Sequence, residues 1–123
     1  MSDEIGAQFV KAMAAKDTPA LRALLAPDVD FRALTPNRFW EAKTADAFLD
    51  EAYSVWFDDN DNIERVESIE HATVEGRERV GYRLRVTNAD GPHVVDQQAY
   101  FHVTDGRIDW LRIMCAGYQP VSA

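Results

Sequence analysis

The sequence predicts an α+β fold with a mostly antiparallel sheet. Through the first half of the chain, apolar residues recur at spacings of three and four; through the second half they alternate one by one. The helical segments come first and four strands follow in succession. This is not the β-α-β order that builds a parallel doubly wound sheet. Asp105-Gly106 sits between two alternating runs, the turn chemistry of a tight hairpin.

The elements can be placed in order. Glu4 to Lys16 reads as a helix with Ile5, Phe9, Ala12 and Met13 on one stripe. Thr18 and Pro19 then suit the N-cap and first position of a short helix running to about Ala26, which Pro27-Asp28 stops. Val29 to Ala33 alternates as a half-buried strand, Pro36-Asn37 breaks it, and Arg38 to Glu41 is too short to classify. Thr44 caps a third helix to about Phe57, with Phe48, Ala52, Val55 and Trp56 on one face beside Leu49 and Tyr53. Strands follow at Ile63–Val74, Arg79–Thr87, His93–Thr104 and Arg107 to about Ala116.

Composition narrows the function classes. At 123 residues the chain is expected to be one domain, 1–123. A hydrophobic share of 46% against 28% charged is enough apolar material for a core, so disorder is excluded. The net charge of −8 repels phosphate backbones and argues against a nucleic-acid partner. One cysteine, Cys115, excludes an internal disulfide framework and a multi-cysteine zinc site. The three histidines show no ligand spacing, and the Asp58–Asp61 run lacks the glycine and spacing of an EF-hand, so no metal and no cofactor is expected. No apolar run reaches the roughly 20 residues of a membrane helix, and the acidic start is no secretory leader, so a cytoplasmic location is expected.

Alternation sorts the strands into two faces. Val80, Tyr82, Leu84 and Val86 share one face, as do Val95, Gln97, Ala99, Phe101 and Val103, then Leu111, Ile113 and Cys115. These sets are expected against the helices. The outer face then carries Tyr100, Trp110 and Met114 among Arg83, Arg85 and Arg112. Large apolar groups on an exposed face mark a partner surface, so a homodimer through Tyr100, Trp110, Arg112 and Met114 is expected.

The layout of "FVKAMAAKDTPALRALLAPDVDFRA", "TADAFLDEAY" and "AYFHVTDGRIDWLRI" resembles the nuclear transport factor two-like superfamily over nearly the whole chain, and most nearly its SnoaL-like group. The resemblance implies a cystatin-like architecture. A curved, mostly antiparallel sheet would wrap three N-terminal helices into a cone with a pocket at its open end. That superfamily includes ketosteroid isomerases, polyketide cyclases and epoxide hydrolases, and many members are dimers. Laid on a ketosteroid isomerase, the catalytic tyrosine falls on Phe9, the general-base aspartate on Ala33 and the oxyanion-hole aspartate on Ala99. None of these side chains can take or donate a proton, so isomerase activity of that kind is rejected. The aspartate-arginine-aspartate set of the epoxide hydrolases has no equivalent, since "VVDQQAY" carries no arginine near Asp96.

The expected pocket draws on both halves of the chain: Phe9, Met13, Phe31, Tyr53 and Trp56 from the first, Tyr82, Gln97, Phe101 and Cys115 from the second. Gln97 is an amide on an apolar face, and needs a partner in helix backbone, in Tyr53 or in a bound ligand. Cys115 has no visible base beside it and reads as a buried thiol. Two residues are candidates for catalysis. Simple alternation groups His71 with Ile69 and opposes it to Val66, Ala72 and Val74, but a bulge in this long strand would turn it inward, where a histidine near Tyr53 could exchange protons. Asp109 has the inward parity of Leu111 and is either a rim carboxylate or a solvated strand end. The function expected is that of a SnoaL-like pocket protein binding a small apolar molecule. The alternative is a cofactor-independent isomerase, cyclase or hydrolase acting on an apolar ring or polyketide-like substrate.

Overall fold

The computed structural model describes residues 2–121. Three helices lie on one face of a six-stranded sheet. They are α1 (Ser2–Ala15), α2 (Thr18–Leu24) and a composite third helix, α3, built from an α turn at Ala45–Phe48, a π-helical segment at Leu49–Tyr53 and a last turn at Ser54–Trp56. The strands are β1 (Leu25–Thr35), β2 (Arg38–Ala42), β3 (Asn62–Val74), β4 (Arg77–Asn88), β5 (Gly91–Thr104) and β6 (Arg107–Pro120). Their spatial order is β2-β1-β6-β5-β4-β3. Every neighbouring pair is antiparallel except β1 and β6, which run parallel. The sheet stays open with β2 and β3 as its edges, where the resemblance implied a curved wrap into a cone. No helix among the described residues is long and apolar enough to cross a membrane.

The helix boundaries follow from local chemistry. Asp17, rather than Thr18, caps α2, its side chain accepting from the Ala20 N–H at 3.1 Å, with Pro19 in the first turn. The helix ends at Leu24, earlier than the sequence suggests. Leu25 turns extended and buries its side chain, and β1 runs on through Pro27. Thr44 caps α3 as expected, accepting from the Ala47 N–H at 3.0 Å. Along α3 and just past its end, Ala45, Phe48, Leu49, Ala52, Tyr53, Trp56 and Phe57 are buried, the last six as pairs repeating every four positions. A regular α-helix turns by 3.6 residues, so such pairs would drift around its axis; the wider π turn keeps them on one face.

The sheet has six strands rather than five, because Arg38–Ala42 pairs with β1. The hairpins at Glu75-Gly76 and Asp105-Gly106 place both central residues at positive φ, the twist that matches paired strands. The alternation in β4, β5 and β6 gives the expected helix-side set, and Phe9, Met13, Phe31, Phe48, Leu84, Phe101 and Leu111 are each within 2% of complete burial there. The Phe31 and Phe48 rings lie 4.6 Å apart, and Trp56 closes on both. Strand β3 departs from simple alternation. Its register shifts twice, between Ile63 and Arg65 and between Val66 and Ser68, so Ile63, Val66, Ile69 and His71 all oppose helix-side residues of β4.

Removing the α3 cap should be felt without changing the fold. Thr44→Ala is expected to lower the unfolding free energy by about 1 kcal/mol in urea titrations, with an unchanged slope against denaturant.

Candidate functional site

Parallel pairing of β1 with β6 brings the β1–β2 turn against the far end of β6. Between that end and the C-terminal turn of α3 lies a cavity of about 410 Å³, lined by Thr35, Pro36, Trp56, Phe57, Val95, Gln97 and the Cys115–Gln119 segment. The volume falls in the range of small-molecule sites. Gly117 shapes one wall: its φ is +84°, and a Cβ there would stand 2.8 Å from Pro36 Cγ. Only glycine satisfies both the backbone and the contact.

Gln97 is 1% exposed and lies directly across from Cys115 in the β5–β6 register. Its Oε1 accepts from the Tyr82 hydroxyl at 2.5 Å, whereas its Nε2 is buried with no hydrogen-bond partner. The indole Nε1 of Trp56 is likewise buried and unpartnered. Tyr118 donates to the Trp56 carbonyl at 2.6 Å and fixes the last turn of α3 to β6. The Cys115 sulfur accepts from the Gly117 N–H at 3.4 Å.

Of the nine expected pocket residues, Trp56, Gln97 and Cys115 line this cavity. Phe9, Met13, Phe31, Tyr53, Tyr82 and Phe101 instead fill the core beneath it. Tyr53 is held by donation to the Met13 carbonyl at 2.7 Å, and the partner of Gln97 is Tyr82, not Tyr53 or helix backbone. The three positions that correspond to ketosteroid isomerase groups, Phe9, Ala33 and Ala99, are all buried and carry no polar atom.

The catalytic candidates stand away from this cavity. The register shift of β3 between Val66 and Ser68 carries His71 to the helix side with Val66, where its ring lies beside Gly6 of α1 and is exposed, toward the opposite edge of the sheet from Trp56. Asp109 does not share the inward face of Leu111. A register shift at His102–Val103 puts it on the outer side, where it accepts from Thr104 at 2.7 Å and pairs with His102 Nδ1 at 3.0 Å. Partial burial works to raise its carboxyl, but the Thr104 and His102 hydrogen bonds and the histidine charge outweigh it and hold the group below the usual carboxylate range. His93 belongs to β5, is 7% exposed, bonds Gly91 O through Nδ1 at 2.8 Å and stacks edge-on against Tyr118. Its parity with Val95 and Gln97 was the signal that could have found it. Thr35, Pro36 and Tyr118 carried no such signal, because the pairing that gathers them is long-range.

On the outer face Trp110 lies between two guanidiniums, with Arg112 at 4.4 Å and Arg77 at 4.5 Å from its ring centre. Tyr100, Arg112 and Met114 line a second, apolar groove of about 260 Å³ together with Leu34 and Phe39.

Tyr118 in the cavity wall and Tyr53 and Tyr82 in the core beneath it are all phenols that burial pushes up. Tyr53 reaches about 12. Tyr82 goes well above its ordinary value through burial first, then through Cys115 and Tyr53. Tyr118 rises through burial and then through the Asp61 carboxylate beside it.

In sequence, no family model and no curated protein matches the chain. Solved structures do. A provisionally assigned polyketide cyclase from Xanthomonas campestris superposes with a TM-score of 0.71 at 19% identity, over 91% of this chain and 87% of its own. A provisionally assigned isomerase from Rhodopseudomonas palustris gives 0.70 at 18%, over 88% and 86%. An LEH-like epoxide hydrolase from M. tuberculosis gives 0.65 at 13%, over 91% and 80%. The chain therefore shares its α+β fold with structures assigned to cyclases, isomerases and epoxide hydrolases. At these identities the likeness concerns the fold, which hosts several chemistries.

The buried phenols set a stability edge in alkali. A phenol whose folded pKa is raised keeps its proton longer in the folded state than in the unfolded one. Its contribution is thus complete below about 10 and is lost as pH rises through the folded value. Urea midpoints are expected to fall between pH 10 and 12, and Tyr53→Phe is expected to make that fall shallower.

Proposed function

We propose that the chain binds a small, largely apolar molecule in the cavity between α3 and the end of β6, and does not perform acid–base chemistry there. The observation that carries this reading is the lining itself. Aromatic and aliphatic surface from Trp56, Phe57, Val95 and Pro36 lines it, and among the described residues Cys115 and Tyr118 are the only titratable side chains in the wall. A phenol is neutral at ordinary pH, and burial pushes that of Tyr118 further from ionising. A proton-transfer catalyst needs a group that changes charge near working pH. The alternative, a cofactor-independent isomerase, cyclase or hydrolase, is favoured by the assignments of the structural neighbours, but the wall offers it no general base.

Cys115 supplies a reporter. A fused-ring aromatic compound is expected to slow alkylation of the Cys115 thiol by iodoacetamide in a saturable way, and an unconjugated ketosteroid is expected to remain unchanged on incubation with the protein. An alkylation rate indifferent to every ring compound tried, or turnover of the steroid, counts against the reading.

We further propose that two copies pair through the outer face. Leu34 stands opposite both Phe39 and Met114 across neighbouring strands, and the three are 46%, 56% and 52% exposed, one apolar band beside Tyr100 and Trp110. Isolated surface apolar residues are ordinary, whereas a contiguous band of this kind marks a contact surface. Sedimentation is expected to show a dimer that Met114→Glu or Trp110→Glu converts to monomers. A monomeric unmodified protein would refute the pairing.

A further inference from the structure

We infer that the acidic turn at 58–61 is a receptor for an ammonium group, filled from within the chain by Lys16, and that this latch governs access to the cavity from its Phe57 side. The inference rests on the reading that the cavity is the binding site, but not on what it binds.

The run Asp58-Asp59-Asn60-Asp61 follows directly on Phe57, a residue of the cavity wall. It lacks the spacing of a calcium loop, and the structure gives it another use. The backbone carbonyls of Asp58 and Asp61 converge on one atom, Lys16 Nζ, which donates to Asp58 O at 2.6 Å and also to Asp61 O. The turn is folded so as to aim them. Asp61 N–H donates to Asp58 O at 3.0 Å, Asp58 N–H to the Asp61 carboxylate at 3.2 Å, and Asn60 N–H to the Asp58 carboxylate at 2.8 Å. Asn88, at the end of β4, donates to Asp61 Oδ1 at 3.0 Å. None of residues 58–62 is buried, so the place of the turn depends on these polar contacts.

Lys16 is an unusual residue for its own position. It stands just past α1 with φ +55°, in the left-handed region where helices end most readily on glycine. Its side chain accounts for its presence, because a glycine there could not reach across 42 and 45 positions of sequence to the two carbonyls. The end of α1 thus grips the α3 region at two levels. In the core, Tyr53 donates to Met13 O at 2.7 Å; beyond the end of α3, Lys16 holds the turn. Trp56 and Phe57, which line the cavity, lie between the two. Breaking the outer grip frees the turn and Phe57 while the Tyr53 bond keeps the core in place.

The experiment follows alkylation of Cys115 by iodoacetamide, with no ligand present, in urea kept well below the unfolding midpoint, and measures global unfolding in parallel. Lys16→Met removes the charge and keeps the length. Lys16→Gly removes the side chain and suits the left-handed backbone. Thr44→Ala, at the start of α3, is the control for lost global stability. Both Lys16 variants are expected to alkylate about threefold to tenfold faster than the unmodified protein, the range that one lost hydrogen bond gives. Their rates should be nearly independent of urea, since a local opening exposes little surface. Lys16→Gly should show this with a smaller fall in unfolding midpoint than Lys16→Met, and Thr44→Ala should alkylate like the unmodified protein. Unchanged alkylation in both Lys16 variants overturns the inference, as does an acceleration that climbs with urea as steeply as unfolding. Calcium that slows alkylation of the unmodified protein overturns it in favour of a metal site. Protection of Cys115 by fused-ring compounds is scored separately, so its absence counts against the binding reading and not against the latch.

Discussion

The parallel pairing of β1 with β6 is the contact on which the rest of the molecule depends. It joins the helical third of the chain to its last strand, aligning Phe31 with Leu111 and Ala33 with Ile113. Without it, β1 and β2 would have no sheet to extend, and α3, which packs on both, would lose its floor. The same register carries Pro36 to Gly117, so the cavity wall follows from the pairing rather than from any local signal. Because residues some eighty positions apart must meet, the chain has to close a long loop before this core is complete, at the cost in entropy that such closure always carries.

The interior divides into a satisfied part and an unsatisfied part. Tyr53 reaches the Met13 carbonyl, Tyr118 the Trp56 carbonyl and Tyr82 the Gln97 amide oxygen, so every buried phenol has its bond. The exceptions on the helix side, Gln97 Nε2 and Trp56 Nε1, both belong to the cavity wall. Sequences depart from local optimality mostly where function requires it, and two unpartnered donors on residues of one cavity wall are such a departure. A leucine at position 97 would pack without idle amide hydrogens, but would in turn strand the Tyr82 hydroxyl. The pair therefore behaves as one unit.

Much of the fold was legible because β4, β5 and β6 alternate cleanly; parity alone put Tyr82, Gln97 and Cys115 on the helix side and Arg83, Tyr100 and Met114 on the other. Parity failed where the ladder is irregular. One shift in β3, between Val66 and Ser68, moved His71 relative to Val66, and one shift in β6 moved Asp109 away from Leu111; nothing in composition announces an extra residue in a strand. The candidate site was half legible for a different reason. Apolar parity identifies what is buried, but core and cavity wall share that property, so Phe31 and Trp56 looked alike. Separating them required knowing which ends of which elements meet, and that information lies in the β1–β6 pairing and in the extension of β6 past Ala116.

The irregularity of β3 has an effect on how the molecule behaves among its own copies. An exposed sheet edge invites a stranger's strand to add to it, and that is a common first step toward fibrils. Here the thirteen-residue edge is broken twice by its register shifts and studded with Glu64, Arg65, Glu67 and Glu70. An incoming strand would find its hydrogen-bonding row out of step every few residues and would have to desolvate charge to continue. The residues that hid the orientation of His71 from the sequence are thus the ones that keep this edge from seeding aggregates.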